Sequence, residues 1–294
     1  MRTTILLLLL SGFFNFHIAS QKTIRIWNEK NTTTKMKHVE MTSFIADNNT
    51  NGLSVIICPG GSYCYLGIKK EGFQVAEWLQ KNGITSFVLR YRTGLRHNRH
   101  PAMIQDLQRA IQLVRENHAT YRIDTCKVGI IGFSAGGHLA GIAATYHQTN
   151  FMDDLGIQPD ISLRPDFVAM IYPVVSMTDS LAHKKSRRNL LGRHYSPEIQ
   201  NMMSLELNVQ NDMPPVFMIH CTKDKTVDYR NALYYYNELA QKDVPCEFIT
   251  YYEAGHGFGI NPNSSHAPSW INRFMPWIIS PSLISTIQLQ APRQ

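Results

Sequence analysis

The stretch Lys127–Ala140, KVGIIGFSAGGHLA, restricts the fold of this chain more than any other. Val128, Ile130 and Ile131 form an apolar run of strand character, bounded by glycines. The chain then turns at Gly132-Phe133-Ser134-Ala135-Gly136 and continues into small, helix-compatible residues such as Leu139, Ala140, Ala143 and Ala144. A serine on so cramped a turn needs neighbours without a β-carbon, because the following helix must pass close to the strand. Strand, turn and helix in that order lift the Ser134 hydroxyl over the top of a sheet and aim the first helical amides at the same spot. G-x-S-x-G constrains only three positions, so a phosphate-cradling loop and a plain tight turn are competing readings. A phosphate loop wants a lysine after the glycines, whereas Gly137 and His138 follow here.

Around this stretch, strand and helix patterns alternate. Thr23–Trp27 and Val39–Ile45 read as edge strands, and Leu53–Cys58, a continuous apolar run, as a central strand. Glu71–Lys81 has helical spacing and stops at Gly83. Ile84–Tyr91 is the next strand, followed by a helix over Pro101–Asn117. The helix after Ser134 runs to about Gln148. Phe167–Val175 and Val216–Cys221 are strands, Asp228–Gln241 a helix, Glu247–Tyr252 the last strand, and Ser269–Ile279 a closing helix. This predicts one α/β domain over residues 21–294, built on a mostly parallel central sheet with helices on both faces. Met177–Asp212 is a small insertion before the Val216 strand, too short for a full lid.

Residues 1–20 read as a secretory signal peptide: Arg2, an apolar run from Ile5 to Leu10, and small residues before Gln21. The competing reading is a buried N-terminal strand. The leader implies an exported protein, periplasmic or secreted, with no membrane association once it is removed. Of 29 Lys and Arg, Arg2 leaves with the leader, so 28 basic residues face 22 acidic ones. The charges are scattered except at Lys184, Lys185, Arg187, Arg188 and Arg193, a run that either meets an acidic polymer or is a solvated loop. No nucleic-acid motif accompanies it. The five cysteines include no metal-binding spacing, and strand positions set Cys58 and Cys221 apart from Cys126 and Cys246, so they are expected to be mostly free and buried.

A serine nucleophile needs a base to take its proton, an acid to orient the base, and amides to hold the oxyanion. Strand order says where each should stand: at the carboxyl ends of strands, in the order serine, acid, histidine. Past Val216–Cys221 lie Asp224 and Asp228; Asp224 is nearer the strand end, and Asp228 also fits a helix cap. Past the last strand lies His256, flanked by glycines. The amide of Ala135 and those of Gly61 and Ser62, in Pro59-Gly60-Gly61-Ser62-Tyr63, are the expected oxyanion donors. Among the other histidines, His138 reads as a packing residue and His220 as a support for the acid loop. His100, His183 and His194 read as undistinguished loop residues.

The ordered set CPGGSY, GFSAGGHLA, HCTKDKTVD and EAGHGFG resembles the α/β-hydrolase superfamily. More narrowly, with EGFQVAEWL, NGITSFVLRYR and PPVFMIH, the chain is similar to bacterial exported esterases grouped with acetyl xylan esterases, from about Leu53 to Trp277. The resemblance departs at Ser62, where the group usually carries glycine, and at Asp228, where it usually carries proline; the second departure leaves Asp224 as the matched acid. It implies a serine esterase that removes acetyl groups from polysaccharides or oligosaccharides, with no cofactor and no metal. Tyr63 and its neighbours are expected to touch the sugar in an open cleft that favours acetyl over octanoyl esters. A prolyl-oligopeptidase-type peptidase, a general short-chain lipase and a non-catalytic binding module are the rivals. The first would need room for a propeller domain ahead of residue 53, and the last would have lost a triad member. Oligomeric state is left open.

Overall fold

Apolar runs too uniform for a half-exposed sheet make the centre of this protein. The computed structural model describes residues 21–27, 33, 36–252, 254–260, 270–280 and 283, so the leader expected over 1–20 lies outside the described residues. The strands are β1 Lys22–Arg25, β2 Glu40–Phe44, β3 Ser54–Cys58, β4 Thr85–Arg90, β5 Val128–Phe133, β6 Val168–Ile171, β7 Val216–Cys221 and β8 Cys246–Tyr251. They form one sheet in the order β1-β2-β4-β3-β5-β6-β7-β8. β1, β2 and β4 pair antiparallel, and every pairing from β4 to β8 is parallel. The helices are α1 Gln74–Lys81, α2 Ala102–Glu116, α3 His118–Tyr121, α4 Ala135–Thr145, α5 Lys184–Leu191, α6 Pro197–Met202, α7 Arg230–Gln241 and α8 Ile271–Ile278.

Successive side chains on a strand face opposite ways, and here both faces are apolar. Ile56, Ile130, Met170 and Met218 pack with α2, α4 and α7. Their neighbours Ile57, Ile131, Ile171 and Phe217 pack with α1 and α8. Every residue of β3, β5, β6 and β7 is buried. A mostly parallel sheet in this strand order, with helices on both faces, is the α/β-hydrolase architecture expected from the sequence.

Several boundaries differ from the sequence expectation. The sixth strand stops at Ile171 rather than Val175, because Tyr172 takes a positive φ of 40° and breaks the ladder. The segment expected as a helix from Glu71 opens with a π-helical turn, Ile68–Phe73, before α1. The basic run is not a loop: Lys184, Lys185, Arg187 and Arg188 lie on α5. The insertion Met177–Asp212 is no flap either, since Leu190, Met203 and Leu205 are buried in the main core. All five cysteines are free; Cys58 and Cys221 are buried, and the other three are half-buried.

The turn from β5 into α4 explains its glycines. A β-carbon on Gly132 would collide with the carbonyl of Gly136, and one on Gly136 with the carbonyl of Cys58 on the adjacent strand. The backbones therefore approach closer than any side chain allows. Gly136→Ala is expected to destabilise the protein by about 3 kcal/mol, the upper part of the usual overpacking cost. Urea unfolding monitored by tryptophan fluorescence measures it.

Candidate active site

Parallel pairing aligns the carboxyl ends of the central strands. Cys58 pairs with Gly132, Phe133 with Ile171, Ile171 with Ile219, and Cys221 with Tyr251. The segments that leave those ends meet over one edge of the sheet, and four of them carry the residues expected from sequence.

Ser134 stands at the strand–helix junction with φ 52° and ψ −116°. Its hydroxyl lies 2.9 Å from Nε2 of His256, and Nδ1 of His256 lies 2.6 Å from Oδ2 of Asp224. A ring that donates from Nδ1 to the carboxylate presents Nε2 as acceptor to the serine. The Asp224 side chain is buried. Burial alone would raise its carboxyl, but hydrogen bonds from His220 and His256 and from the Val227 amide outweigh it and hold the group well below the ordinary carboxylate range. His220 sits beneath the acid, its Nε2 3.0 Å from the Val227 carbonyl and 3.3 Å from Asp224. Asp228 is elsewhere: it accepts from the Arg230 amide at 2.9 Å and pairs with the Arg230 guanidinium at the start of α7.

The loop after β3 turns its amides toward open space because its carbonyls are all engaged. Gly60 O accepts from Gly67 N at 2.9 Å, Gly61 O from Cys64 N at 2.9 Å, Ser62 O from Asn189 Nδ2 at 2.9 Å, and Tyr63 O from Gly94 N at 2.7 Å. In a trans peptide the carbonyl and the following N–H point opposite ways. The amides of Gly61 and Ser62 therefore face away from those partners, and among the described residues they make no hydrogen bond. Ala135 opens α4 and carries a first-turn amide with no helical acceptor. A β-carbon on Gly60 would stand 3.0 Å from that of Ser134, so this loop lies directly against the serine. Gly60's own amide is not available, being bound to Glu71 Oε2 at 2.8 Å.

Tyr63 corrects the sequence expectation. It is fully buried and cannot touch a sugar. Its hydroxyl lies 2.8 Å from His138 Nδ1, while His138 Nε2 lies 2.8 Å from the Met203 carbonyl. A carbonyl only accepts, so Nε2 carries the proton and Nδ1 accepts from the phenol. This contact pins Ser62 and Tyr63, both left-handed at φ 57° and 54°, in the turn between Gly61 and Cys64. The exposed ring is two residues on: Tyr65 is 59% exposed, its Cδ2 would lie 3.1 Å from a β-carbon on Gly61, and Lys185 Nζ stands 5.8 Å from its ring centre.

Other supports were not legible in the sequence. Cys221 Sγ accepts from the amides of Ala254 and Gly255 at 3.1 and 3.2 Å, beneath the histidine loop. Asn231 Oδ1 accepts from the amides of Val175 and Ser176, fixing the start of the insertion. His183 precedes α5 and bonds Ser186, and its proximity to His256 adds to burial in lowering its basicity. The bonds of Cys221 and Asn231 reach partners more than 30 residues away, which no local pattern displays.

Residues 43–239 match the BD-FAE family. An acetylxylan esterase of Xylanibacter ruminicola is 31% identical over 75% of this chain and 44% of its own length. An endo-1,4-beta-xylanase B of Butyrivibrio fibrisolvens is 33% identical over 70% of this chain and 32% of its own. The chain thus spans less than half of either relative. The crystal structure of an acetyl ester-xyloside bifunctional hydrolase from Caldicellulosiruptor lactoaceticus superimposes with a TM-score of 0.80 at 30% identity, covering 89% of this chain and 97% of that one.

Burial pushes His138 down from 6.5 to about 4, and His100 likewise to about 4. Between those values and about 6.5, the unfolded chain takes up protons that the folded chain refuses. This contribution to stability is complete above about pH 6.5 and declines as pH falls toward 4. Urea midpoints measured from pH 7 to 5 are expected to fall, and His138→Gln to reduce the slope, with His100 and His183 contributing to the remainder.

Proposed function

The chain belongs to the BD-FAE family, and on that premise we propose that it is a carboxylic ester hydrolase that removes acetyl groups from carbohydrate. The observation that carries this reading is the hydrogen-bonded series from Ser134 through His256 to Asp224, set against unclaimed amides. His256 Nε2 takes the Ser134 proton as the oxygen attacks the ester carbonyl, and Asp224 stabilises the imidazolium that forms. The amides of Gly61, Ser62 and Ala135 receive the negative charge of the tetrahedral intermediate. Its collapse expels the sugar hydroxyl, protonated by His256, and leaves an acetyl group on Ser134. A water molecule activated by the same imidazole then releases acetate.

The carbohydrate half of the reading draws on the xylan-related relatives and on Tyr65, whose open ring beside Gly61 offers a flat apolar face to a pyranose. The apolar leader at residues 5–10 supports export, where acetylated plant-type polysaccharide would be met.

Ser134→Ala and His256→Ala are expected to lower kcat on p-nitrophenyl acetate by about a thousandfold or more. Asp224→Asn should follow them, whereas Asp228→Asn should stay within about twofold, because its carboxylate serves Arg230. Wild-type turnover in folded Ser134→Ala would end the serine reading. For the substrate, acetate release from acetylated xylo-oligosaccharides should have a KM raised about tenfold by Tyr65→Ala, with turnover of p-nitrophenyl acetate nearly unchanged. In the same assays, p-nitrophenyl octanoate cleaved faster than the acetate would favour a lipase-like enzyme instead.

A further inference from the structure

Glu71 is a buried acid with no role in the series above. Its side chain leaves the π-helical turn Ile68–Phe73 and points inward, and among the described residues it has no cationic partner. Burying a carboxylate without a counter-ion costs several kcal/mol unless its oxygens are well bonded. Both are. Oε2 accepts from the Gly60 amide at 2.8 Å, and Oε1 accepts from the Tyr172 hydroxyl at 2.7 Å. The space is reserved for it: a β-carbon on Gly60 would stand 2.8 Å from Oε2, and one on Gly67 3.0 Å.

Tyr172 carries the connection onward. Its hydroxyl oxygen accepts from the Gly259 amide at 3.1 Å, three residues past His256. Its ring packs on His256 at 4.7 Å and on Phe258 at 4.5 Å between centroids. Burial, followed by the nearby Glu71, raises this phenol well above its ordinary range, so it keeps the proton it donates. Gly259 in turn presses on the turn that bears Glu71: its missing β-carbon would lie 3.1 Å from the Lys70 carbonyl.

We infer that Glu71 and Tyr172 are a pair of positioning residues that clamp two loops to each other, the one carrying the oxyanion amides and the one carrying His256. Neither touches the ester. Gly60 fixes the peptide ahead of the Gly61 amide, and Gly259 together with the Tyr172 ring fixes the imidazole. One carboxylate therefore sets the distance between the group that removes the serine proton and the groups that receive the negative charge. A side-chain amide cannot replace it. Glutamine could accept from Gly60, but its NH₂ would then face the Tyr172 hydroxyl as a second donor beside Gly259, and the phenol proton would lose its acceptor.

The inference builds on Ser134 as ester nucleophile, and its test includes a readout independent of that reading. Hydrogen exchange of full-length protein is compared for wild type, Glu71→Gln, Tyr172→Phe and the double variant, over residues 59–65 and 254–260. Each single variant should accelerate exchange in both loops, including the loop it does not touch. On p-nitrophenyl acetate, per active site titrated by the p-nitrophenol burst, each should lose about tenfold to a hundredfold in kcat with KM within about twofold. The double variant should be no worse than the poorer single one, because the two act as a unit. Should Glu71→Gln fail to fold, Tyr172→Phe alone retains the test through exchange at residues 59–65. Exchange confined to the loop nearest each substitution, losses that multiply in the double variant, or unchanged kcat per titrated site would each overturn the clamp.

Discussion

A serine at φ 52° and ψ −116° occupies backbone space that L-residues avoid, a strain of about 1–3 kcal/mol. The surrounding chain holds it there. Its amide donates to Ile171 O at 2.9 Å, and its carbonyl accepts from His138 N and Val174 N, both at 3.1 Å. These bonds come from β6, from α4 and from the segment after β6, so the sheet must be assembled before the turn can be held. The close approach of Gly136 to Cys58 has the same origin, since it draws the helix start onto the adjacent strand. Position, not chemistry alone, makes this hydroxyl different from those of the other serines.

Much of this was visible in the residues themselves. Strands such as Val216–Cys221 are buried throughout and apolar at every position but His220, and a fully buried parallel strand has little else to display. Ser134, Asp224 and His256 were legible because strand order dictates where such groups must leave a sheet. Tyr63 was misread because an aromatic residue beside a glycine loop looks the same in sequence whether it faces substrate or interior. Its partner His138 stands 75 residues away, on a helix whose pattern reads only as apolar. Glu71 was overlooked for a related reason. An acid at the start of an amphipathic helix reads as a solvated first-turn charge, and its bond to Tyr172 spans 101 residues.

The insertion between β6 and β7 illustrates how far a segment's length misleads about its part. Its size suggests a reduced lid, yet Leu190, Met203 and Leu205 are in the core, and Asn189 holds the Ser62 carbonyl. Met203 O anchors His138, and through it Tyr63. The segment braces the loop after β3 from outside, while Glu71 braces it from within. The same helix α5 that supplies Asn189 sets Lys185 over Tyr65, so one short element both supports the loop after β3 and flanks its exposed ring.

The engaged carbonyls of residues 60–63 bear on how the protein responds to heat. The Gly61 carbonyl is satisfied by Cys64 within the turn, and the other three by the turn before α1, the segment after β4 and α5. The unpaired amides of Gly61 and Ser62 are thus aligned by folding rather than by the arrival of a ligand, and a group that bound them would incur little ordering entropy in that loop. A site built this way has no half-assembled form of its own. Its thermal inactivation curve follows the melting of the domain, instead of preceding it as in enzymes whose active-site loops loosen first.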